Sequence, residues 1–122
     1  MNARPLAGLT ILIVEDTYLI ALEVQRMVEE AGAQRATLAA TVSEVRERLA
    51  AGRPIDVCIL DLRLGEEDAT PLIEELRERG IAVLVATGFD SVGPNVDVPL
   101  LQKPYQEAEL VAAIRAALGE RD

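Results

Sequence analysis

The chain has 122 residues, half of them hydrophobic and 27% charged, an ordinary globular composition that fits one domain over 1–122 rather than a disordered chain. Twelve basic against 21 acidic residues give a net charge of −9, which repels a phosphate backbone, so direct nucleic-acid binding is not expected. One cysteine and no histidine exclude a disulfide framework and a His/Cys zinc site, and any imidazole chemistry has to come from a partner.

Leu9 to Val14 is an apolar, β-branched run that reads as a buried strand and stops at Glu15-Asp16. Thr17 can cap a helix with Ile20, Val24, Met27, Val28 and Ala31 at helical spacing, closing at Gly32. Gln34 to Ala39 reads as a weaker strand. Thr41-Val42-Ser43-Glu44 is a capping-box pattern ahead of a helix carrying Val42, Val45 and Leu49, ended by Gly52 and Pro54.

Ile55 to Leu60 is a third strand, apolar from Val57 onward, with Asp61 at its tip. Cys58 lies inside it as a small core residue. An acidic loop through Gly65, Glu66, Glu67 and Asp68 follows, read as solvated. Thr70-Pro71 opens a helix carrying Leu72, Ile73 and Leu76 until Gly80.

Ile81 to Ala86 is a fourth apolar strand, ending on Thr87-Gly88-Phe89. From Asp90 to Pro99 the chain is too broken by Gly93, Pro94 and Pro99 for a three-turn helix. A short strand over Val98 to Leu101 leads to Lys103-Pro104, and Tyr105, Leu110, Val111, Ile114 and Leu118 mark a closing helix that ends at Gly119. Tyr18, Phe89 and Tyr105 are expected to cover apolar surface.

Strand and helix thus alternate, with fully apolar strands, which implies an α/β fold with a parallel sheet covered on both faces. All strand ends then face one way, and Glu15, Asp16, Asp61, Thr87 and Lys103 converge on one sheet edge. Two carboxylates about 4 Å apart repel by roughly 4 kcal/mol at an effective dielectric near 20, so this acidic group calls for a cation. All-oxygen donors suit octahedral Mg²⁺. A carboxylate beside Mg²⁺ is also a nucleophile toward phosphorus: Asp61 would attack, with Lys103, Thr87 and backbone N–H groups taking the phosphoryl oxygens. No apolar run approaches the roughly 20 residues that span a bilayer, and no apolar signal region follows Met1-Asn2-Ala3-Arg4-Pro5; a cytoplasmic location without membrane insertion is expected.

Glu15-Asp16, Asp61, Thr87-Gly88 and Lys103-Pro104, in this order and at these strand ends, resemble the response-regulator receiver (CheY-like) domain of two-component signalling over essentially the whole chain. Singly, each has a plain alternative. The acid pair can be a helix N-terminal feature, Asp61 a loop acid, Thr87-Gly88 a turn, and Lys103-Pro104 a solvated lysine before a helix.

The resemblance implies a flavodoxin-like (βα)₅ doubly wound five-stranded parallel sheet of order 2-1-3-4-5. It implies phosphorylation of Asp61 by a histidine kinase's phosphohistidine or a phosphotransfer protein. Mg²⁺ would sit at Asp16, Asp61 and the Arg63 backbone carbonyl, with Glu15 acting through water, and the Lys103–Pro104 peptide would be cis. The Arg63 side chain either touches the phosphoryl group or is solvated. The acceptor would phosphorylate itself and slowly lose the group, so the chain is not a dedicated enzyme.

Leu100 stands where typical receivers carry Tyr or Phe, and the segment from Thr87 to Lys103 is short, which implies a shortened or missing fourth helix. Ala86-Thr87-Gly88-Phe89 with Lys103-Pro104-Tyr105 is similar to the receiver subfamily named for its Phe-Ala-Thr-Gly motif, with Val85 at the first position. A switch by reordering of the Gly88 to Pro99 loop would follow.

Three other readings compete. A haloacid-dehalogenase-type phosphatase needs a second acid two residues after the nucleophile, where this chain has Arg63; a flavodoxin needs a phosphate loop where it has Glu15-Asp16-Thr17-Tyr18. A pseudo-receiver would keep the fold as a protein-binding module without phosphorylation. The chain is either free-standing or excised from a hybrid histidine kinase or longer regulator. If complete, it would act through a downstream protein partner or as a phosphate sink.

Overall fold

A computed structural model describes residues 4–88 and 98–121, with Thr87, Glu120 and Arg121 described by their backbones alone. Five parallel strands, β1 (Thr10–Val14), β2 (Arg35–Ala39), β3 (Val57–Leu60), β6 (Ala82–Thr87) and β7 (Leu100–Gln102), form one sheet in the order β2-β1-β3-β6-β7. Counted along the chain, this is the order 2-1-3-4-5. The helices among the described residues are α1 (Tyr18–Glu30), α2 (Val42–Ala50), α3 (Pro71–Glu78) and α4 (Glu107–Arg121). The predicted break at Gly93-Pro94, Phe89 and residues 89–97 of the predicted switch loop lie outside the described residues.

Alternation within the apolar strands sorts the core into two halves. Leu12, Val14, Cys58, Leu60, Val83 and Val85 pack on one face with Val45 and Leu49 of α2 and Leu72, Ile73 and Leu76 of α3. Ile11, Ile13, Val57, Ile59, Leu84 and Ala86 pack on the other with α1 and α4. Both faces are covered, so both side-chain sets had to be apolar, and each fully buried Leu, Ile or Val adds about 1.5–3 kcal/mol.

The edge strand β2 is closed by side chains. Arg35 N donates to Leu9 O and Glu15 N to Ala39 O, so the odd-numbered residues of β2 face β1 and the even-numbered carbonyls face outward. Gln25 Nε2 of α1 donates to Ala36 O at 3.0 Å, and Arg48 Nη2 of α2 donates to Leu38 O at 2.6 Å. One helix on each face thus covers the edge.

Several expectations are corrected. The acidic loop after β3 is a small antiparallel hairpin, β4 (Arg63–Leu64) and β5 (Glu67–Asp68), turned at Gly65 with φ +63°. The predicted Thr17 and Thr70 caps make no side-chain cap bond. Instead Asp68 Oδ1 accepts from Thr70 N and Oγ1, and Glu15 Oε2 accepts from Thr17 N. Thr41 caps as predicted, with Oγ1 accepting from Glu44 N at 3.0 Å. The closing helix runs through Gly119 to Arg121. Tyr18 and Ile20 are exposed rather than packed, because α1 buries Ala21, Val24 and Val28 and turns its first residues away from the sheet.

Candidate functional site

Glu15 and Asp61 continue the ladders of neighbouring strands by one residue: Glu15 N donates to Ala39 O and Asp61 N to Val14 O, each at 3.0 Å. Their carboxyls are therefore fixed side by side at the C-terminal edge of β1 and β3. Thr87 ends β6, its backbone in register with Gln102, the residue before Lys103. Lys103 lies two strands from Asp61, about 10 Å at the usual spacing, a span only a long side chain covers. It covers it: Nζ is 2.7 Å from Glu15 Oε1 and 2.8 Å from Asp61 Oδ2. The Lys103–Pro104 peptide is cis, as the resemblance implies.

Glu15, Asp16 and Asp61 each offer one carboxylate oxygen within 4.8 Å of the others. Each acid is also oriented by a backbone amide. Asp16 Oδ2 accepts from Gly65 N at 2.7 Å, Asp61 Oδ1 from Arg63 N at 3.0 Å, and Glu15 Oε2 from Thr17 N at 3.1 Å. The donors are all oxygens held at the rim of a rigid sheet, a set that fits a hard divalent cation such as Mg²⁺. Gly65 and Glu67 belong to the surroundings of this site and were missed in the sequence, where the hairpin reads as an acidic loop.

Burial, opposed by Lys103 and the Thr17 amide, leaves the Glu15 carboxyl above its usual value, and the Asp61 charge adds to the rise. Burial works against the Lys103 ammonium too, but its hydrogen bonds to Asp61 and Glu15 outweigh it and hold the group above its usual value. Lys103 is thus a cation at neutral pH. Burial also raises the Tyr105 phenol and the Cys58 thiol, which keeps Cys58 an inert core residue. Arg63 and Leu100 are exposed.

Beside the acid cluster, Leu19, Ile20, Val24 and Met27 of α1 face Lys103, Pro104 and Tyr105 across an open cleft of about 310 Å³. Leu19 and Ile20 are 77% and 41% exposed, which puts apolar surface along this cleft.

Residues 11–115 match the family model described as the response regulator receiver domain. The chain belongs to that family. The receiver fold is shared with SdrG from Sphingomonas melonis Fr1, 38% identical over 97% of this chain and 98% of that one, with a TM-score of 0.78. A response regulator receiver protein from Sinorhizobium medicae WSM419, 24% identical over 93% of this chain and 97% of that one, has the same fold at a TM-score of 0.79. The transcriptional regulatory protein FixJ of Azorhizobium caulinodans is 38% identical over 81 residues, 58% of this chain. The match spans 38% of the length of FixJ. This receiver carries Glu15, Asp16, Asp61, Thr87 and Lys103 at the strand ends where the sequence placed them. Among its described residues no helix is long and apolar enough to cross a membrane.

Proposed function

We propose that this receiver is a phosphoacceptor: Asp61 takes a phosphoryl group from the phosphohistidine of a histidine kinase or phosphotransfer protein, with Mg²⁺ bound at the acid cluster. The observation that carries the reading is the bridge from Lys103 Nζ to Asp61 and Glu15. It puts a fixed cation against the Asp61 carboxylate, within a cluster that Glu15 and Asp16 complete.

An Asp61 carboxylate oxygen attacks phosphorus in line with the donor nitrogen. The new P–O bond forms as the P–N bond breaks, and its electron pair returns to the donor's imidazole. Lys103 neutralises one phosphoryl oxygen as a point charge. Thr87, at the end of β6, is the hydroxyl assigned to another. Asp16, Asp61 and the Arg63 carbonyl would hold Mg²⁺, with Glu15 acting through water, and the ion would supply charge neutralisation. Water later attacks the acyl phosphate and releases inorganic phosphate, so the chain is a self-modifying acceptor and not a dedicated enzyme.

The partner is proposed to enter over the exposed Leu19 and Ile20, which line the cleft opposite Lys103, Pro104 and Tyr105. Phosphorylation would change the binding of a downstream protein. Incubation with acetyl phosphate and Mg²⁺ tests the reading by intact mass. One added phosphoryl group, absent in Asp61→Asn and without Mg²⁺, is the expected result. No addition from acetyl phosphate or from a phosphohistidine donor would leave a protein-binding module.

A further inference from the structure

Asp16 and Asp61 do not stand free in their pocket. Both are oriented by the first half of the β4–β5 hairpin, through Gly65 N and Arg63 N. Its base is closed by Ala69 N donating to Leu62 O at 2.8 Å and anchored by buried Leu62, Leu64 and Ala69. Its second half is held elsewhere: Glu67 Oε1 accepts from Val42 N, the first residue of α2, at 3.2 Å. The first turn of a helix has spare amide donors and favours a negative charge. Thr41 already takes Glu44 N, and Glu67 takes Val42 N from across the chain.

We propose that Glu67 is a positioning residue for the acid pocket: by tying the hairpin to α2 it holds Arg63 and Gly65 against Asp61 and Asp16. Glu67 itself does not reach the ion. This deepens the reading that the pocket binds Mg²⁺ and rests on it. Two short strands joined by a two-residue turn are not stable alone. A hairpin released from α2 keeps its buried base but loses the tie on its second strand, so the Gly65 turn and the amides that orient the two carboxylates are held less firmly.

The test is a titration with Mg²⁺ alone, followed by amide NMR shifts, on wild type, Glu67→Ala, Glu67→Gln and Glu66→Ala. Glu66 is exposed and carries the same charge next door, so its variant corrects for electrostatics. Glu67→Ala is expected to weaken Mg²⁺ about three- to tenfold and to speed hydrogen exchange at Gly65, while Glu67→Gln, which keeps an acceptor oxygen, and Glu66→Ala stay within about twofold. Urea midpoints are to be recorded alongside, since a merely structural role moves them and not the affinity.

Equal affinity in Glu67→Ala and Glu66→Ala overturns the proposal alone. No Mg²⁺-dependent shift in any protein, wild type included, overturns the metal reading and the proposal with it.

Discussion

Lys103 Nζ lies 2.8 Å from Asp61 Oδ2, although β6 runs between the strands that carry the two residues. The ammonium also touches Glu15, so it bridges two of the three acids as a resident cation. A divalent ion entering that cluster meets a positive charge already in place. Lys103→Ala is therefore expected to bind Mg²⁺ severalfold more tightly. The same variant loses the charge that neutralises a transferring phosphoryl group, so phosphorylation by acetyl phosphate should fall by about a hundredfold. Calorimetric titration and timed intact mass measure the two effects, and a loss of both together would contradict the assignment.

Glu15 gives a pH signature. Burial holds its carboxyl above the ordinary value of 4.5, so the native state binds that proton more tightly than the unfolded chain. The associated stability is fully present below about pH 4.5 and is lost as pH rises through the folded value. Glu15→Gln removes this term. In metal-free protein its urea midpoint should gain on wild type as pH rises from about 4 to about 7, and a constant difference would refute the assignment. The Lys103 contribution has its window elsewhere: it is present below 10.5 and is lost as pH rises through the raised folded value.

Exposed Leu19 separates docking from chemistry. Leu19→Glu is expected to leave phosphorylation by acetyl phosphate within about twofold and to slow transfer from a phosphohistidine protein about tenfold or more. Equal slowing with both donors would place Leu19 in the acceptor site itself.

The covered edge of β2 predicts an aggregation phenotype. Gln25→Ala combined with Arg48→Ala uncovers Ala36 O and Leu38 O while leaving both core faces intact. Unpaired strand edges recruit other strands, so self-association should rise with concentration relative to wild type. Sedimentation velocity across a concentration series measures it. Unchanged sedimentation would mean that the caps do not guard the edge.

How much could be read in advance differed from residue to residue. Val57 to Leu60 and Ala82 to Ala86 were readable as strands because burial on both faces leaves no polar position in them. Asp61 stood out for the same reason, as the first acid after such a run. The hairpin was not readable: strands of two residues carry no periodicity, and Arg63-Leu64-Gly65-Glu66-Glu67-Asp68 has a loop's composition. Ile20 shows a further limit, since a helix's apolar pattern does not say which residue of its first turn passes beyond the sheet.

The sequence by itself determined the alternation of strands and helices, the two-sided core, and the set of acids, hydroxyl and lysine at the strand ends. Local pattern suffices there, because the backbone places residues at strand ends whatever lies opposite. Only the tertiary structure decided which groups meet: Lys103 between Glu15 and Asp61, Gly65 on Asp16, Glu67 on α2, and Gln25 and Arg48 on the edge of β2. These contacts depend on strand order, helix rotation and side-chain reach, which are set by how the whole sheet packs.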